Sequence, residues 1–211
     1  KGWLSELAKD AAARLIGSLP PCRTLYQKAA WTFAATASTA DAIRACGARN
    51  VSFLPQSGIE ETFGRDSPSP TAFPRGRNVR LISACRLIHW KAVDLAIEAL
   101  ARTPDDVELL VLQDGPDFER LKRLAADLGI SNRVIFAGRL STLNDVYREI
   151  SEADALIHPA VHEAFGQACL EALALGVPVI CLDWAGPGLI VDSTCGFAVP
   201  PANREETIEG L

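Results

Sequence analysis

From residue 78 onward, short apolar runs alternate with stretches whose apolar residues recur at helical spacing. "NVRLISAC" (78–85), "VELLVLQ" (107–113), "RVIFAG" (133–138), "DALIHP" (154–159) and "VPVICLD" (177–183) read as strands. Between them, "KAVDLAIEALAR" (91–102), "DFERLKRLAADLG" (117–129), "TLNDVYREISEA" (142–153) and "FGQACLEALALG" (165–176) read as helices, two of them closing on Gly129 and Gly176. A Gly/Pro turn, "GLIVD" (188–192) and a last short strand, "GFAVP" (196–200), follow. Strands alternating with helices through short links predict an α/β, Rossmann-like fold, a parallel sheet with helices on both faces. The near-continuous apolar strands agree, because parallel strands are buried on both sides.

The first 77 residues are less regular. "WLSELAKDAAARLI" (3–16) carries one apolar stripe and a mixed polar face, which fits a packed helix better than a membrane-surface one. "WTFAATAS" (31–38) reads as a strand, "TADAIRACGA" (39–48) as a short helix and "NVSFLP" (50–55) as a second strand. The Pro, Gly and Ser of "GRDSPSPTAFPRGR" (64–77) mark a linker or domain boundary.

Composition narrows the function classes. With 21 basic and 26 acidic residues the chain carries a net charge of −5, which argues against a nucleic-acid surface but leaves room for a local cationic pocket. The six cysteines form no CxxC pair and read as buried free thiols of a reducing compartment. No apolar run approaches the ~18 residues of a membrane helix, and no secretory signal is visible. The chain opens on Lys1 and has no Met, so a fragment of a longer protein is expected.

In a parallel sheet, ligands bind beyond the carboxyl ends of the strands. That edge collects Arg86 and Lys91, then Asp114 to Pro116, Arg139 and Leu140, then His162, Glu163, Phe165 and Gly166, and finally Trp184 to Gly188. Two cations and two helix N-termini suit a diphosphate without a metal. Glu163 lies in a loop, and Glu171 about a turn and a half into the next helix, so the pair can hold an elongated ligand at two places. A carboxylate accepts two hydrogen bonds from a vicinal diol such as ribose. The chain has no GxGxxG after its first strand, no Walker loop and no GxSxG. His158 and His162 have the four-residue spacing of a helical zinc pair, but Pro159 and the strand end argue against a helix there, so no metal is expected.

"HEAFGQACLEALALGVPVI" resembles the E-x7-E signature of retaining glycosyltransferases of the GT-B fold, family 4. "LPQSGIEETF", "SACRLIHWKAVDLAIEAL", "LLVLQDGPDFERLKRLAADLG", "RVIFAGRL" and "GFAVPP" are similar to further segments of that family, in its order. The resemblance implies two face-to-face Rossmann-like domains, of which this chain is mainly the donor-binding half. Residues 1–53 would be closing elements of the N-terminal acceptor-side domain, 54–77 the interdomain turn and linker, and 78–211 the nucleotide-sugar-binding domain.

By the same resemblance, Arg86 and Lys91 would bind the donor diphosphate, Glu163 the hydroxyls of the transferred sugar and Glu171 the ribose. The backbone of Arg139 and Leu140 would meet the base, and the amides around Phe165 and Gly166 would approach the phosphate or sugar. Glu163, Arg86 and Lys91 would carry the catalysis. The implied partners are a nucleoside-diphosphate sugar as donor and a glycan or lipid-linked acceptor, with no cofactor. The implied setting is polysaccharide biosynthesis in the cytoplasm or at the inner face of the membrane, with peripheral membrane association through the rest of the acceptor-side domain. The isolated chain is expected to be inactive. Four positions depart from the family pattern: Cys85, Ala92 and Gln113 stand where Gly is usual, and Leu189 near a usual Glu. The competing reading is a non-catalytic Rossmann-like binding or interaction module; retention of Arg86, Lys91, Glu163 and Glu171 favours the enzyme. A GT-B sugar-nucleotide epimerase ranks below both.

Overall fold

The computed structural model describes residues 19–54, 58–60, 63 and 78–211. The helix expected over 3–16, the linker 64–77 and half of the interdomain turn 54–63 lie outside the described residues. The first part contains α1 (Pro20–Lys28), β1 (Thr32–Ala34), α2 (Ala37–Ala45) and β2 (Val51–Phe53), with β1 and β2 paired in parallel as a two-stranded sheet. The strand expected over 31–38 is therefore shorter. Thr36 ends it by capping α2, its side chain accepting the Thr39 N–H at 3.1 Å.

The second part runs β3 (Val79–Ala84), a 3₁₀ turn (His89–Lys91), α3 (Val93–Leu100), β4 (Val107–Leu112), α4 (Phe118–Asp127) and β5 (Val134–Gly138). It continues with α5 (Leu143–Ser151), β6 (Ala155–His158), α6 (Gln167–Ala174), β7 (Val179–Leu182), α7 (Pro187–Ile190), β8 (Gly196–Val199) and α8 (Arg204–Gly210). The six strands form one sheet in the order β5-β4-β3-β6-β7-β8, every neighbouring pair parallel. The chain thus winds outward from β3 to one edge, returns beside β3 and winds outward to the other.

The apolar runs are continuous because both faces are covered. In β4, Leu110 and Leu112 pack in a core with Ile82, Ile150, Leu156 and Val179, while Leu109 and Val111 pack on the opposite face with Ile97, Leu100 and Leu121. Strand geometry sends successive side chains to opposite faces, so every position of such a strand meets protein.

Local chemistry sets the helix boundaries. Thr142 and Asp145 form a reciprocal capping box that starts α5. Gly166, at φ 86°, delays α6 to Gln167, two residues later than the periodicity predicts. "GLIVD" begins as the end of the short helix α7. Arg133, only 6% exposed, ties β5 to the end of α3: its guanidinium donates to the carbonyls of Leu100, Thr103, Pro104 and Val107 and to Thr103 Oγ1. All six cysteines are free; Cys85, Cys169 and Cys181 are buried, and Cys22, Cys46 and Cys195 are partly so. No helix among the described residues is long and apolar enough to cross a membrane.

Candidate functional site

The winding reverses between β3 and β6. In doubly wound sheets ligands bind at that switch point, beyond the carboxyl ends of the strands. Here the loops that leave β3 and β6 are tied together by the Val161 and His162 N–H groups, which donate to the Trp90 carbonyl at 2.9 and 3.3 Å. Lys91 arrives there on the 3₁₀ turn after β3, and Glu163 in the loop after β6. Across 72 residues of sequence they meet: Lys91 Nζ donates to Glu163 Oε2. The same oxygen lies 2.9 Å from His158 Nε2, and Glu163 Oε1 accepts the Ala164 N–H at 3.1 Å.

Burial works to raise the Glu163 pKa, but the hydrogen bonds from His158 and Lys91 and the lysine charge outweigh it and hold the carboxyl at about 2. Glu163 is thus a fixed anion at any physiological pH. Sequence reasoning weighed His158 only as half of a metal pair with His162. The structure places it instead as a buried partner of Glu163, while His162 is exposed and lines a cavity. The apolar "DALIHP" context gave one usable signal, a polar ring at the end of a buried strand.

Glu171 stands on α6 in a different environment. Gln167, one turn earlier, donates to its Oε1 at 3.1 Å, and the Tyr147 hydroxyl from α5 approaches at 3.5 Å. Burial and the neighbouring carboxylate push the Tyr147 hydroxyl up, so it stays a donor. Phe63 packs edge-on against the Tyr147 ring, with centroids 4.7 Å apart. Nothing in the spacing of the sequence singled out Tyr147.

The remaining candidates fall into three groups. Phe165 and Gly166 are buried at the start of α6, and the loop after β7 lies directly on them: a Cβ on Gly186 would fall 2.1 Å from Phe165 Cα. Arg86 follows β3 with an exposed side chain. Arg139 is exposed beyond β5, the edge strand, and the partly buried Leu140 side chain packs against the core. The structure therefore brings Lys91, His158 and Glu163 into contact, gathers Glu171 with Gln167 and Tyr147, and leaves Arg86 and Arg139 facing solvent.

A cavity of about 650 Å³ opens beside Glu163. Phe33, Thr36 and Thr39 line it from the first part, and His162, Asp183, Trp184 and Leu189 from the loops after β6 and β7. Trp184 and Leu189, 45% and 55% exposed, give the cavity apolar lining, and Glu163 and Asp183 add carboxylates to it.

Two departures from the family pattern have a visible backbone consequence. Ala92 and Gln113 take left-handed conformations, φ 51° and 73°, although neither is glycine. The conformation usual for Gly is kept without it, at a cost of roughly 1 kcal/mol each.

The chain can be set beside known proteins. It is 37% identical over 129 residues to the lipopolysaccharide glucosyltransferase WaaG of Escherichia coli K12, a match covering 57% of this chain and 33% of that protein. The lipopolysaccharide outer core galactosyltransferase WaaB superposes with a TM-score of 0.72 at 25% identity, over 86% of this chain and 52% of that one. Anabaena HepE, solved with UDP and glucose, superposes with a TM-score of 0.73 at 24% identity, over 89% of this chain and 54% of that one. The chain thus matches only about a third of WaaG and about half of the two solved structures. The glycosyl transferases group 1 model matches residues 69–211, which is more than half of the sequence. With that match, and with a doubly wound parallel sheet shared with GT-B glycosyltransferases, the chain belongs to the glycosyl transferases group 1 family.

Proposed function

We propose that this chain is the donor-binding part of a retaining glycosyltransferase of family 4. It would move a sugar from a nucleoside diphosphate to a glycan or lipid-linked acceptor. The observation that carries the reading is the meeting of Lys91 and Glu163 at the switch point between β3 and β6. A cation and a fixed anion there match the two charges that develop when a sugar–phosphate bond breaks.

In that reaction the bond from the anomeric carbon to the diphosphate oxygen breaks, and the electron pair leaves with the nucleotide. Lys91 and Arg86 stabilise the departing charge, aided by the amides at the start of α6. Glu163 accepts hydroxyl protons of the sugar in hydrogen bonds and offsets positive charge on its ring. Its low pKa and three donors suit an orienting anion rather than a proton donor. The acceptor hydroxyl forms the new bond on the face the nucleotide leaves and gives up its proton to the departing phosphate. The cavity walled by Trp184 and Leu189 opens onto Glu163 and supports entry of the acceptor from that side. Glu171, held by Gln167 and Tyr147, takes the ribose hydroxyls, and the backbone at Arg139 and Leu140 meets the base.

No metal is needed, because side-chain cations and backbone amides carry the diphosphate charge. A cytoplasmic setting, at the inner face of the membrane where the acceptor is a lipid, belongs to the same reading. The fold shared with HepE, solved with UDP and glucose, supports the donor class. Calorimetry against UDP, GDP and ADP tests it: one should bind, and Lys91→Ala should weaken it. Absence of binding by all three at millimolar concentration would overturn the reading.

A further inference from the structure

His158 is left without a part in that chemistry. It closes β6 between β3 and β7 and is 2% exposed. Its neighbours in the strand, Leu156 and Ile157, are apolar and buried. Packing alone would put a hydrocarbon at such a position. The ring instead places Nε2 at 2.9 Å from Glu163 Oε2, while Nδ1 is buried with no hydrogen-bond partner among the described residues.

Those two nitrogens settle the tautomer. An ionised carboxylate only accepts, so Nε2 carries the hydrogen. A hydrogen on Nδ1 would be a buried donor with nothing to receive it, at a cost of about 1–3 kcal/mol. The ring therefore presents Nε2–H to Glu163 and a bare Nδ1 to the core. Turning the ring over would take Nε2–H away from the carboxylate, so the single contact to Glu163 holds the orientation.

Glu163 Oε2 is shared between His158 and Lys91. These two donors differ in kind. Lys91 sits at the end of a flexible four-carbon stem on a short turn, and a diphosphate offers it more negative charge than one carboxylate does. His158 is a rigid ring locked into the sheet.

We propose that His158 is a positioning residue that keeps Glu163 aimed at the transferred sugar while Lys91 turns to the diphosphate. The inference rests on the donor-binding reading. It adds that the sugar-facing carboxylate is held by the sheet itself and not by the lysine that grips the leaving group. His158 touches no substrate; it acts through Glu163 only.

The role separates sugar from nucleotide. Calorimetry would compare UDP with UDP-glucose, GDP with GDP-mannose and ADP with ADP-glucose, taking whichever nucleotide binds. His158→Leu should weaken the sugar conjugate about tenfold and leave the bare nucleotide within about twofold. His158→Gln, which offers an amide N–H from nearly the same place, should recover most of the loss. Circular dichroism and melting would confirm that both variants fold. A variant that loses nucleotide and conjugate in parallel, or neither, overturns the proposal. A second measurement needs no nucleotide: the Glu163 carboxyl is titrated by ¹³C NMR. Its midpoint should rise from about 2 toward its ordinary value of 4.5 in His158→Leu, with Lys91 still in place. An unmoved midpoint overturns the role of His158 whatever the nucleotides do. Failure of the wild-type chain to bind any of the three nucleotides overturns the donor-binding reading instead.

Discussion

Neutralising Glu163 should make the stability of the chain less sensitive to acid. In the fold its carboxyl titrates at about 2, against an ordinary value of 4.5. A depressed carboxylate adds stability that is fully present above its unfolded pKa and is lost as pH falls through the folded one. At ~1.4 kcal/mol per pH unit, that gap has a ceiling of about 3 kcal/mol. The Glu163 side chain is 15% exposed and opens onto a cavity, so solvent screening brings the expected contribution to about 2 kcal/mol. Half of it should be gone near pH ~3.3, midway between the two values. The groups facing Glu163 are Lys91 and His158; the buried thiols of Cys85 and Cys169 are pushed up, in part by the Glu163 charge, and stay neutral over this range. Urea unfolding of wild type and Glu163→Gln, followed by circular dichroism between pH 7 and 3, measures the effect. Other carboxylates titrate in both proteins and cancel in the difference. That difference should be near 2 kcal/mol at pH 6–7 and shrink steadily below pH 4.5. A difference that stays constant across the range would refute the claim that His158 and Lys91 hold the carboxylate ionised.

Lys91→Ala should weaken nucleoside-diphosphate affinity by roughly tenfold to a hundredfold, the loss of one charge-assisted contact, read by calorimetry. In a full-length enzyme the same change should cut turnover by orders of magnitude, and a near-normal rate would contradict the assigned role. EDTA should leave nucleotide affinity unchanged; a loss restored by added Mg²⁺ would show that the side-chain cations do not suffice. Arg133→Met should cost about 3 kcal/mol in urea unfolding, because it strips a buried guanidinium from four carbonyls and a hydroxyl. Ala92→Gly should raise stability by about 0.5–1 kcal/mol, since glycine adopts φ 51° without strain.

Much of the fold was legible in the chain. The apolar runs that became the inner strands β4, β6 and β7 could be read because a strand covered on both faces needs apolar side chains throughout; the edge strands β5 and β8 are apolar too but leave Ile135 and Phe197 43% and 62% exposed. The helices α4, α5 and α6 could be read because each has a buried stripe, and α3 because it is apolar and buried nearly all round. Boundaries were less legible where a single backbone angle decides them. Gly166 delays α6, and Thr36 cuts β1 short to cap α2. Neither event alters hydrophobic periodicity.

For the site, sequence alone determined the residue types and the edge of the sheet they occupy. Arg86, Lys91 and Glu163 lie in the connections that follow β3 and β6, and Glu171 lies midway along α6; that placement follows from local pattern. The partnership among them depended on strand order. Lys91 and Glu163 meet because β3 and β6 lie side by side, although two strands and three helices separate them along the chain. No local pattern encodes that adjacency; it comes from burying both faces of one twisted sheet. His158 became a partner of Glu163 only once β6 was enclosed between β3 and β7. There, burial left its ring one polar neighbour, the Glu163 carboxylate, which His158 and Lys91 together hold as a fixed anion.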